Sequence, residues 1–372
     1  MVNILIISTC IILSIGLLLI YSGNYFYKLA IDVNIPKESV FKSKNELKNS
    51  NEKNRESIID KQDKNWFFRN SNYEDLFIDS FDGLKLHGIK IINSHVTNKW
   101  IIAVHGYNRN SMKMCGRIRN FYTMGYNLII PDLRGHGKSE GKYIGMGWHD
   151  RKDLLKWIDY IISEDENCEI ILYGVSMGAS TVMMTCGEEL KNNVKAAIED
   201  CGYTSVWDQF AYILKLKFNL PQFPIMHIAN IIVRIRAKYD IKEASCIKQL
   251  AKAKIPILFI HGDKDTFVPF YMLKKVYDSA KCEKQMLIIE GAGHSRSNKV
   301  NPNLYWKTIN DFLEKLPSKD RIIFVKRYYS MESVESIARL MNLKDNYIRS
   351  VLSRTRVRLK KHLNEVYNND WY

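Results

Sequence analysis

The stretch Ile170-Ile171-Leu172-Tyr173-Gly174-Val175-Ser176-Met177-Gly178-Ala179-Ser180-Thr181-Val182 decides the fold of this chain. It opens with a short, continuously apolar run, as expected of a strand covered on both faces. It passes through G-x-S-x-G and continues as a helix. Strand, sharp turn and helix is the context in which that pentapeptide presents a nucleophile, with Ser176 Oγ exposed above the sheet. The glycines permit the strained turn, and the helix amino terminus adds a favourable potential for developing negative charge. An ordinary strand-to-helix turn containing serine is the competing reading, and the flanks weigh against it.

Working outward, short apolar runs alternate with amphipathic ones. Strands are predicted at Leu84–Ile92, Trp100–His105, Asn127–Pro131, Glu169–Tyr173, Val194–Glu199, Pro256–His261 and Gln285–Glu290, with helices such as Asp150–Ser163 and Met177–Leu190 between them. This alternation predicts an α/β fold with a mostly parallel central sheet, whose chemistry lies at the carboxyl ends of its strands. One such end is His105-Gly106-Tyr107-Asn108. An acyl-transfer enzyme needs two backbone N–H donors aimed at the oxyanion, and Met177 and Tyr107 are placed to supply them. His105, at the strand end, is read as bracing the loop rather than as a base.

Two later strand ends carry His261-Gly262-Asp263-Lys264-Asp265 and Glu290-Gly291-Ala292-Gly293-His294. The chain order Ser176, Asp265, His294 is the order of a hydrolase triad. Serine needs an imidazole to take its proton and a carboxylate to hold that imidazole in the right tautomer. Asp200, at the end of the preceding strand, is the reserve acid.

Beside these residues, Asp132-Leu133-Arg134-Gly135-His136-Gly137-Lys138-Ser139 completes a resemblance, over residues 73 to 316, to the α/β-hydrolase superfamily. The resemblance is to its monoacylglycerol-lipase-like and serine-aminopeptidase-like branch. It implies that the acid is the third residue after His-Gly, hence Asp265 over Asp263, and that the 132–139 loop is structural. Phe223-Pro224, 254–259 and 301–306 resemble bacterial hydrolases with an amino-terminal membrane helix, many described as cell-surface enzymes. Residues 202–254 are expected to form a cap, and Trp207, Phe210, Tyr212, Phe218, Phe223 and Met226 make it apolar, which suits an acyl chain. An acyl ester is the leading substrate and a small peptide the second. No metal or organic cofactor is expected, because His and acidic residues show no metal-ligand spacing. The seven scattered cysteines form no C-x-x-C pair and argue against a disulfide framework or structural zinc.

No charge precedes Lys28, and Val2 to Tyr21 is mostly Ile and Leu. At 1.5 Å per residue such a run spans about 30 Å, the thickness of a bilayer core. A cleaved signal peptide is the runner-up, but it wants a basic start and an A-x-A-like site. Basic residues follow the span, which predicts that the body faces the cytoplasm; the cell-surface relatives point the other way. Residues 37 to 65 are polar and mixed in sign and read as a solvated linker or exposed helix. The expected boundaries are a transmembrane anchor at 1–27, a linker at 28–72, the hydrolase at 73–317 with its cap near 203–254, and a tail at 318–372.

The tail carries twelve Lys/Arg against four acids between Lys319 and Asn364, eight of the chain's fifteen net positive charges. It is predicted as three helices, Asp320–Tyr329, Ser333–Met341 and Asp345 to about Val366. The inner stripes are Val334, Ile337, Ala338 and Met341, then Ile348, Val351, Leu352 and Leu359. This pattern resembles the helix-turn-helix of sigma-factor region four and implies DNA, or RNA polymerase, as a partner. Asn346, Tyr347, Arg349, Ser350 and Ser353 would face bases, and Arg354, Arg356, Arg358 and Lys360 phosphates. A basic helical bundle leaning on anionic lipid is the bland alternative.

With 372 residues, 46% hydrophobic and 26% charged, the chain is globular and long enough for two or three domains. Two functions from different classes follow: a membrane-tethered serine hydrolase with an appended helix-turn-helix, or a membrane-bound transcriptional regulator whose hydrolase fold senses a ligand. A sensor has no need of Ser176, Asp265 and His294 together.

Overall fold

A computed structural model of the protein describes residues 2–35, 58–316 and 319–367. They fall into two compact units that part between Phe312 and Leu313. In the first, eight strands form one sheet: β1 (Glu74–Asp79), β2 (Lys85–Ile91), β3 (Lys99–Val104), β4 (Asn127–Pro131), β5 (Glu169–Val175), β6 (Val194–Asp200), β7 (Ile257–Gly262) and β8 (Lys284–Ile289). Their order is β1-β2-β4-β3-β5-β6-β7-β8. The β1–β2 and β2–β4 pairs are antiparallel and the others parallel. β4, β5 and β7 are buried throughout, which explains their unbroken apolar sequences. Apolar stripes of α3 (Cys115–Thr123), α4 (Asp150–Glu164), α5 (Met177–Thr185) and α9 (Tyr271–Ser279) are buried in the same unit.

The register places the site. Val104 pairs with Gly174, Val175 with Asp200, Asp200 with Ile260 and Gly262 with Ile289. The loops after β3, β5, β7 and β8 therefore leave from one edge of the sheet. Between β6 and β7 lie α6 (Val206–Phe218), α7 (Ile225–Arg236) and the short α8 (Cys246–Leu250), in the stretch expected as the cap. Ser205 accepts a hydrogen bond from the Asp208 N–H at the start of α6, an N-cap that fixes where the cap helix begins.

The structure departs from the sequence reading in several places. β1 was not foreseen: Asp75, Phe77 and Asp79 line its exposed side, and the acids at 74, 75 and 79 leave an apolar run of only Leu76–Ile78. The helix after Ser176 stops at Thr185 rather than Leu190, because Gly187 follows and lies close against the backbone of Gln249 in α8. The stretch expected as linker contains α2 (Ile58–Asn70), and it is not simply solvated. Phe67 is fully buried, and Asp63 pairs with Arg119 of α3 at 3.1 Å. Residues 36–57 of that linker lie outside the described residues.

The amino-terminal helix α1 (Val2–Ala30) is long and apolar enough to cross a membrane. It does not end at residue 27. Its last two turns and the residues after them pack on the body, with Tyr27 and Ile31 buried, Ile31 accepting a backbone hydrogen bond from Ile144, and Asp32 bridging to Tyr143.

In the second unit, α12 (Lys319–Tyr328), α13 (Val334–Met341) and α14 (Asp345–Tyr367) surround Ile323, Val334, Ile337, Ala338, Ile348, Val351 and Leu352. Ser333 caps α13 by accepting from the Ser336 N–H, and Asn342 closes it in the left-handed region. Met341 packs against this core, but Leu359 is 43% exposed, in the later part of the long α14, and is no part of its inner stripe.

Candidate active site

Ser176 sits between β5 and α5 with φ 58° and ψ −119°, a conformation that lifts its side chain off the sheet edge. The flanking glycines are required by space. A Cβ on Gly178 would strike the carbonyls of Val104 and His105, and one on Gly174 would strike the backbone of Gly178. The sequence pattern G-x-S-x-G is thus the imprint of two close backbone approaches around one strained serine.

Ser176 Oγ lies 2.8 Å from His294 Nε2, and His294 Nδ1 lies 2.7 Å from Asp265 Oδ2. Nδ1 faces a carboxylate and so carries the proton, leaving Nε2 to accept from the serine hydroxyl. Asp265 Oδ1 accepts the N–H groups of Phe267 and Val268, each at 2.9 Å, which locks the carboxylate in place. Burial works to raise the Asp265 pKa, but hydrogen bonds from His261 and His294 outweigh it and bring it to about 2. The acid is therefore ionised across the neutral range.

The other acids are elsewhere engaged. Asp200 Oδ2 accepts from the Tyr305 hydroxyl at 2.9 Å and faces Arg117 at 3.8 Å, while Asp263 accepts from the Gly291 N–H. His105 is fully buried, with Nε2 accepting from the Leu133 N–H and Nδ1 donating to the Gly106 carbonyl. Burial lowers its pKa, so it is a neutral brace under the loop. Gly106 passes close to Ser176, and a Cβ there would meet Ser176 Cβ at 3.3 Å. Tyr107 follows immediately. Met177 opens α5, where helix geometry supplies no acceptor for the amide. The loop at 132–139 holds structure together: Asp132 accepts from Ser111 and Lys138 N–H groups, and buried Arg134 pairs with Asp153 and Asp82.

Sequence reasoning passed over several contributors. His261 Nε2 lies 3.3 Å from Asp265 Oδ2, four residues before the acid; the His-Gly ending of β7 was its only signal. Phe267 lays its ring 4.8 Å from that of His294. From the cap, Gln209 donates to the Phe267 carbonyl and Tyr212 to that of Thr266, joining α6 to the acid loop. Cys201, Asp265 and His294 also bring ligating atoms within 4.8 Å of one another. However, Asp265 and His294 already bond each other and their neighbours, and burial holds the Cys201 thiol pKa far up, in the protonated form.

On α14, Asn346, Arg349, Ser350, Ser353 and Arg356 are exposed, whereas Tyr347 packs partly against the small core. Arg349 pairs with Glu335 of α13 at 3.1 Å, and Arg354 donates to Ser350. Arg358 and Lys360 lie further along the same helix.

Residues 96–239 match the family model described as serine aminopeptidase, S33, and residues 307–359 match sigma-70, region 4. The second match begins inside α11 (Pro302–Lys315), earlier than the boundary expected from composition. YqkD of Bacillus subtilis (strain 168) is 30% identical over 223 residues, 60% of this chain and 73% of that protein. The α/β hydrolase domain-containing protein WAV2 of Arabidopsis thaliana is 25% identical over 273 residues, 67% of this chain and 81% of that one. Among solved structures, the Pyrococcus furiosus esterase Pf2001 aligns with a TM-score of 0.54 at 23% identity, over 66% of this chain and 93% of its own.

Proposed function

The chain belongs to the α/β-hydrolase family and carries a sigma-70 region 4 domain, and on that premise we propose that it is a membrane-anchored serine hydrolase that cleaves an acyl ester. The observation that carries this reading is the unbroken relay of 2.8 and 2.7 Å from Ser176 through His294 to Asp265. In this reading His294 Nε2 takes the Ser176 proton as Oγ attacks the acyl carbon. The backbone N–H groups of Met177 and Tyr107 receive the oxyanion. The imidazolium returns the proton to the departing alkoxide, leaving an acyl-serine. Water, deprotonated in turn by His294, releases the acid and restores Ser176. Asp265 stays ionised and holds the tautomer, consistent with its depressed pKa.

Helix α1 would anchor the protein, and the basic residues after it favour a cytoplasmic body. A cytoplasmic body also suits the second unit, whose α14 would enter a major groove with Asn346, Arg349, Ser350 and Ser353 towards bases and Arg354, Arg356 and Arg358 towards phosphates. Turnover of short p-nitrophenyl esters by the full chain tests the hydrolase. Ser176→Ala is expected to lower kcat about 10⁶-fold; ester cleavage that survives this change would end the assignment.

A further inference from the structure

Between the end of α1 and the cap lies an apolar cavity. Phe26, Ala30 and Ile31 form one wall, and Phe210, Leu214 and Ala229 of α6 and α7 belong to the other. Among the described residues, no charged side chain lines it. The wall is firmly set: the Phe26 ring meets Phe218 edge-on at 5.2 Å, and Gly23 lies so close to α7 that a Cβ would press on Ile228. Hydrogen bonds tie both walls to residues of the site. The Tyr107 hydroxyl donates to the Ala30 carbonyl at 2.9 Å, so the residue whose backbone would receive the oxyanion touches the wall directly. On the other side, Gln209 and Tyr212, which flank Phe210 in α6, bond the loop that carries Asp265.

We propose that this cavity holds the acyl chain of a lipid ester taken from the bilayer, so that the end of the amino-terminal helix is a wall of the substrate site as well as a tether. The proposal rests on the serine-hydrolase reading and deepens it by naming the substrate class. Three observations choose the occupant. The lining offers nothing to a polar or charged group. One wall continues, along a single helix, into the exposed apolar segment read as crossing the membrane. The outer side of the cap helices is itself exposed and apolar at Leu216, Phe223, Ile231 and Ile235, with Lys215, Arg234 and Arg236 among them, as suits a surface lying on anionic lipid.

The test uses the full chain in phospholipid nanodiscs and a dodecyl fluorophosphonate with a terminal diazirine, alongside an ethyl fluorophosphonate. After Ser176 is labelled, irradiation is expected to place the alkyl terminus on peptides spanning 22–35 and 206–236. Labelling of Ser176 with adducts elsewhere, or with none above background, overturns the cavity assignment and leaves the hydrolase standing. No labelling by either probe overturns both. A second measurement follows the dodecanoyl-to-acetyl ratio of kcat/KM for p-nitrophenyl esters. Burying each added methylene is expected to raise kcat/KM roughly fourfold until the cavity is full. Ala229→Phe, which occupies the cavity from the cap side, is expected to lower that ratio at least tenfold. An unchanged ratio contradicts the proposal.

Discussion

At the scale of single residues, the site is built by arranging which groups ionise. Asp265 is buried yet charged, because two backbone N–H groups and two histidines face it. Glu199, at the end of β6, is equally buried but has only the Gly202 N–H on one oxygen. Burial pushes its pKa up to about 8. The consequence for stability has a definite sign. The unfolded chain ionises Glu199 near its ordinary pKa of 4.5 while the folded protein keeps it protonated to about pH 8. Folding stability from this group is therefore full below pH 4.5 and declines as pH rises towards 8, by at most about 1.4 kcal/mol per pH unit. Glu199→Gln keeps the acceptor for Gly202 and removes the titration. Thermal melts should show the variant gaining on the parent protein as pH moves from 5 to 8; an equal difference at both would contradict the assignment. The meeting of Ser176, Asp265 and His294 was legible because serine, carboxylate and imidazole each follow an apolar strand in a fixed order. His261 was not, since only the folded register brings it within reach of the acid.

At the scale of elements, legibility followed periodicity. The fully buried strands announced themselves as unbroken apolar runs, and the helices of the second unit by their caps and stripes. The edge strand β1 stayed hidden because acids at both ends leave it an apolar run of only three residues. The packing of α2 stayed hidden because its polar sequence, which reads equally as an exposed helix, conceals the buried ring of Phe67. Leu359 was misassigned because helical periodicity continues past the small core that gives it meaning. The same unit yields a prediction about partners. If α14 lies along a major groove, replacing Arg354 and Arg356 with alanine should weaken binding across DNA sequences alike and reduce the salt slope by about one for each phosphate no longer neutralised. Replacing Arg349 or Ser350 should instead relax preference at particular base pairs. Gel shifts of the full chain across a salt series distinguish these outcomes, and an absence of binding at low salt removes the DNA reading.

At the scale of the whole molecule, three parts follow one another along a single chain: a helix long and apolar enough to cross a membrane, an α/β-hydrolase domain and a region 4 domain. The division between the first two is less sharp than composition implied. Hydropathy marks α1 as apolar, but not where its exposed part ends, since its last turns serve as a packing surface of the body. If the helix spans the membrane with the body in the cytoplasm, protease added outside intact cells should leave the region 4 segment uncut until the membrane is opened; cleavage in intact cells would reverse the proposed topology. The most direct test of the central claim is active-site labelling of the full chain by a fluorophosphonate, with the modified residue located by peptide mass spectrometry. The relay predicts one adduct, on Ser176, absent in Ser176→Ala and formed far more slowly in His294→Ala and Asp265→Asn. Labelling that leaves Ser176 untouched, or that proceeds at an undiminished rate without His294, would contradict it.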